Sequence, residues 1–230
     1  MTEVPDVPKA SKGDAAHLAV KATLSAVPIV GGPAAELFAA LIQPPLEKRR
    51  QEWMAAIGEA LADLQSQGRA DLPTLGENEE FVDTVLQASQ IALRNHQAEK
   101  RDALKSAIVN TALGKSPGDA LRQIFLRYVD ELTEWHLRIL KLFNDPQAWF
   151  QAHSTSGLDL SMGALAHVIE QAFPPLRNAR SIYDQVWEDL QQRGLLTRVD
   201  LHTTMSGHGL MQSRTSNLGS RFLTFVEEPK

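Results

Sequence analysis

Apolar residues recur at three- and four-residue spacing along most of this chain, and the period changes only after residue 194. Residues 14–27 predict a first helix, opened by Asp14, with His17, Lys21 and Ser25 as one narrow polar stripe. The rest of its surface is Ala, Leu and Val. Pro28 to Pro33 breaks it, and Pro33 is well placed to start a second helix over about 33–42, interrupted only by Glu36. The two together predict an apolar αα-hairpin over 14–43. Pro44-Pro45 is expected to start a new element, with Leu46, Trp53, Ile57, Ala60 and Leu64 as its stripe and Gly68 as its stop, and Asp71 to Gly76 is expected to be a loop.

Asn78 is expected to cap a helix whose apolar face is Phe81, Val82, Val85, Leu86 and Leu93. It pauses near Asn95-His96 or runs on through Leu104, Ile108 and Ala112. Ser116-Pro117 opens the next helix, Thr133 caps a further piece to Phe143, and Asn144-Asp145-Pro146 is a stop and restart. Residues 153–160 read as a loop, Ser161 as the cap of a short helix to Phe173, and 179–193 as an amphipathic helix closed by Gly194. Val199, Leu201, Thr203 and Met205 then alternate as a strand does, Ser206 to Gly209 is a turn, and Met211 to Arg214 returns as the partner strand. A last helix follows over 215–226, capped by Thr215 or Ser216.

This element order predicts an all-α, multi-helical fold with a winged-helix-like C-terminal region carrying a small β-hairpin. Three parts follow: a tail at 1–13, an N-terminal helical domain at 14–115, and the winged-helix-like domain at 116–230.

Composition narrows the function classes. The chain has 230 residues, 43% of them hydrophobic and 22% charged, which is ordinary for a globular protein. The absence of cysteine excludes disulfides, thiolate zinc sites and cysteine nucleophiles, and fits a reducing compartment. A net charge of −5 argues against nucleic acid as the main partner. From Leu176 to Lys230 there are seven Lys or Arg and six Asp or Glu, too even a balance for a strong phosphate footprint. If that region does meet DNA, Arg177, Arg180, Arg198 and Arg214 are the candidate phosphate contacts. The alternative is a winged helix used as a packing or protein-contact module.

The hairpin offers the other candidate surface, formed by Leu18, Leu24, Val27, Ile29, Leu37, Phe38 and Leu41, followed by the basic Lys48, Arg49 and Arg50. It is read either as part of the core or as a surface for a partner, for self-association or for a membrane, with the basic triplet set against anionic headgroups. Neither helix is long enough to span a bilayer. His202, His208 and Asp200 near the turn are read as loop residues rather than a metal site, and His96 and His136 as ordinary hydrogen-bonding residues within helices. No Walker loop, Gly-x-Ser-x-Gly, dinucleotide fingerprint or His-Glu-x-x-His is present. The expectation is a non-enzymatic protein with no cofactor, no metal and no evident small-molecule substrate.

Two stretches resemble a known family. Ala26-Val-Pro-Ile-Val-Gly-Gly-Pro33 with Pro45-Leu-Glu-Lys-Arg-Arg50, and Gly194-Leu-Leu196 with Thr215-Ser-Asn-Leu-Gly-Ser-Arg-Phe222, are similar to the abortive-infection alpha family of bacterial proteins. Ser216-Asn217 are more polar than that family's ending. The resemblance implies a role in bacterial phage defence and no catalytic residues; the expected location is the cytoplasm, or the periphery of the inner membrane. A winged-helix DNA-binding regulator and an oligomerising helical scaffold are the alternatives.

Overall fold

In the computed structural model, residues 33–153 and 161–229 are described, with the side chains of 33–40 left aside. Of the described residues 73% are helical, in eleven α-helices, and there is one two-stranded antiparallel sheet among them. Contacts divide it into residues 1–50 and 51–230.

Helix α1 (Pro33–Ser66) carries the first correction to the sequence reading. It passes through Pro44-Pro45, where a break was expected. Two prolines withdraw two N–H donors, but the backbone stays helical on both sides. Its stop is as expected: Gly68 has φ 65°, and the amides of Gly68 and Arg69 donate back to the carbonyls of Gln65 and Leu64.

Most helices of 51–230 follow the predicted stripes, but a short helix forms over Leu72–Glu77 where a loop was expected, with Pro73 in its first turn and Leu75 buried. Helices α2 (Leu72–Glu77), α3 (Glu79–Arg94), α4 (Ala98–Ala112) and α5 (Asp119–Glu131) are joined by short connections. Asn78 caps α3 by accepting the Phe81 amide at 3.1 Å. His96, expected inside a helix, lies in the connection between α3 and α4. Helix α4 is the central one, buried along most of its length, with Leu104, Ala107 and Ile108 wholly enclosed. A helix apolar on so many sides shows little amphipathic pattern, because neighbours cover it all round.

Buried polar residues tie these helices together. Arg122, 2% exposed, donates from Nη1 to the Glu80 carbonyl and to Thr84 Oγ1, and from Nη2 to Asp119 Oδ1. Lys100 donates to the Asp130 carbonyl at 2.7 Å; burial pushes its pKa down, against the opposing pull of the Asp130 charge. Trp53 Nε1 donates to Ser89 Oγ at 2.9 Å.

Helices α6 (Glu134–Asn144), α7 (Pro146–Ala152), α8 (Leu165–Ala172), α9 (Arg180–Gln192), α10 (Gly207–Leu210) and α11 (Asn217–Val226) complete the fold. Thr133 and His136 close the start of α6, where His136 Nδ1 accepts the Thr133 amide. Asp145 caps α7 through the Ala148 amide. Ser161 does not cap α8; Ala164 holds that position, and His167 Nδ1 accepts its amide.

The hairpin expected between 199–205 and 211–214 does not form. Strand β2 (Met205–Ser206) pairs instead with β1 (Met162–Gly163). The reason lies in α9. Trp187 Nε1 donates to the Val199 carbonyl, and Gln191 Nε2 donates to the carbonyls of Thr197 and Val199. These side chains occupy acceptors that a strand partner would need. Asp200 then takes the His202 amide and bends the chain, and Ser206 caps α10 in place of a plain turn. The two flanks still meet at an antiparallel bridge between Leu196 and Thr215.

Candidate functional site

The expected contact surface is described only in part. Leu18, Leu24, Val27 and Ile29 lie outside the described residues, and Leu37 and Phe38 lie in α1 at positions whose side chains are left aside. Leu41 is 63% exposed, and Ile42 and Leu46 are also exposed. Lys48 and Arg50 are exposed and Arg49 is half-buried, so a basic triplet follows the apolar residues on one helix. No described helix is long and apolar enough to cross a membrane.

The four candidate DNA-contacting arginines are not gathered into one array of open guanidinium groups. Arg177 donates to the Glu170 carbonyl. Arg180 pairs with Asp184 at 3.2 Å, and Asp184 also holds His202 Nε2 at 2.7 Å. Arg198 lines a shallow recess beside Glu188 and Asp200. Arg214 is turned inward, donating to the Gly209 carbonyl and towards Met205 Sδ, while its Nε is buried without an acceptor. The Asp200 carboxyl is held below the usual range by the His202 amide. His208 lies on α10, and among the described residues no three His, Asp or Glu side chains converge as metal ligands.

Sequence reasoning missed a cleft of about 720 Å³ within 51–230, framed by α4, α6, α7 and α8. Its floor is aromatic. The His153 ring stacks on Trp149 with centroids 3.9 Å apart and planes 13° apart, and His153 Nδ1 donates to the Trp149 carbonyl at 2.8 Å. Phe173 meets Trp149 edge-on at 5.3 Å and Trp135 at 5.7 Å. One wall is ionic. Arg138 bonds Glu99, lies 3.8 Å from Glu134, and sits 5.1 Å over the Trp135 ring. That hydrogen bond holds the Glu99 carboxyl below its ordinary pKa. Lys141, one turn on, shares the cleft with Asp145 and Glu227. The only local signal was the pairing of Arg138 with Lys141 at helical spacing. Trp149, Phe173 and Glu227 come from separate elements, and nothing in the sequence joins them.

The stretches 194–196 and 215–222 meet in space. Gly194, with φ 70°, closes α9, and the Leu195 amide donates to the Leu190 carbonyl. The Leu195 carbonyl then accepts the Ser216 amide, and Ser216 Oγ caps α11 through the Gly219 amide. Gly219 lies directly against Leu195, and a Cβ there would stand 2.1 Å from the Leu195 oxygen.

No family model, no curated protein and no solved structure matches the chain.

Proposed function

We propose that this is a non-enzymatic bacterial protein that works by contact, with the exposed stretch of α1 as its working surface and phage defence as its setting. The observation that carries the reading is the exposure of Leu41, Ile42 and Leu46 immediately before Lys48, Arg49 and Arg50. Exposed apolar side chains are costly in water and gain from entering the boundary between headgroups and acyl chains. Each basic residue near an anionic surface adds about 1 kcal/mol. The same surface would serve a protein partner with an acidic rim. The segment from α6 to α11 is read as a winged-helix-like module whose wing is reduced to the Leu196–Thr215 bridge, used for packing rather than for reading DNA.

Vesicle flotation tests this. The full chain is expected to float with vesicles containing phosphatidylglycerol and to stay down with neutral vesicles or in high salt. Replacing Leu41, Ile42 and Leu46 together by Glu should abolish flotation and leave the thermal melt unchanged. Absence of flotation from a monomeric full chain would overturn the membrane form of the proposal.

A further inference from the structure

The cleft between α4, α6, α7 and α8 has the makings of a small-molecule site, and its charges indicate what kind. Arg138 and Glu99 neutralise one another, and Arg138 is further held by Glu134 and the Trp135 ring. What remains is one cation, Lys141, whose ammonium has no ion pair among the described residues, and two carboxylates, Asp145 and Glu227. Asp145 caps α7 through one oxygen and also lines the cleft. The floor beside these charges is the stacked Trp149–His153 pair and the edge of Phe173.

A simple anion would meet Lys141 but face two carboxylates. A simple cation would meet the carboxylates but face Lys141. A ligand with both charges on one carbon and a ring beside them answers every group. We propose that the cleft binds a zwitterionic aromatic amino acid. Its carboxylate would pair with Lys141, its ammonium with Asp145 and Glu227, and its ring would lie against the aromatic floor. Charge-assisted hydrogen bonds at both ends fix the orientation, and the ring supplies the apolar contact. The volume of about 720 Å³ lies in the range of small-molecule sites. Among the described residues none of α1 lines this cleft, so the proposal stands apart from the contact function.

Calorimetric titration of the full chain with L-phenylalanine tests it, with phenylacetate, phenethylamine and N-acetyl-phenylalanine amide as probes lacking one charge or both. Saturable binding of L-phenylalanine is expected, weaker by about tenfold for each single-charge probe and undetectable for the amide. Lys141→Gln and Asp145→Asn should each weaken binding about tenfold. Asn can keep the α7 cap and Lys141 is exposed, so both variants should melt as the parent does. Trp149→Ala should abolish binding. The proposal is overturned if L-phenylalanine does not bind at millimolar concentration. It is equally overturned if the three probes bind as well as the amino acid, or if normally melting Lys141→Gln and Asp145→Asn chains bind it unchanged.

Discussion

Asn110 does for α11 what that helix cannot do for itself. Its Nδ2 donates to the carbonyls of Thr224, Phe225 and Glu227 at 3.2, 3.0 and 2.9 Å, gathering acceptors that the helix end leaves open. Asn110→Ala should therefore lower stability by about 1–3 kcal/mol, read from the urea midpoint. His136 governs a pH dependence. Burial holds its pKa below the ordinary value near 6.5, against the pull of Asp189, while Arg193 and Lys100 push it the same way as burial. As pH falls through about 6.5 the unfolded chain takes up a proton that the folded chain refuses. Stability is thus complete above that pH and is lost as pH falls towards the folded pKa. His136→Gln keeps an acceptor for the Thr133 amide but cannot titrate, so its urea midpoint should fall less steeply between about pH 7 and 5. Asn78 and Gly194 were legible in the sequence, and Ser216 as one of two candidates, because a cap acts within one turn. Asn110 and Arg122 were not, because their carbonyl partners lie far away along the chain.

At the scale of elements, the joint between α9 and α11 is set by backbone contact. The Leu195 carbonyl faces Gly219 so closely that any side chain would strike backbone, which cannot step aside as a flexible side chain can. Gly219→Ala is expected to cost about 3 kcal/mol, measured by chemical denaturation. Helix positions in this protein were largely readable from the period of the apolar residues. Two of the misread elements show why the rest were not, for different reasons. The alternation of Val199, Leu201, Thr203 and Met205 has the period of a strand, but Trp187 and Gln191 take the carbonyls first. At Pro44-Pro45 the local preference for a break is real, and α1 continues regardless.

For the molecule as a whole, the core of 51–230 runs without interruption from Trp53 to Val226. A chain beginning at residue 51 retains the buried face of α1 at Trp53, Ile57 and Leu64. It should therefore fold alone, with a single cooperative melt and the near-ultraviolet circular dichroism of its tryptophans preserved. A broad, non-cooperative melt would mean that 1–50 is needed for folding. The cleft belongs to this scale as well: its parts come from α4, α6, α7 and α8 and from Glu227, and only the assembled core brings them together.

The packing of α11 on α4 has a consequence for synthesis. Phe222 and Phe225 of α11 meet Phe125 at 5.3 and 6.1 Å, and Asn110 holds the end of the same helix. More than a hundred residues separate α4 from the helix that seals it. At ordinary rates of chain synthesis that interval lasts on the order of ten seconds. Throughout it the nascent chain carries an apolar flank whose final cover has not yet been made.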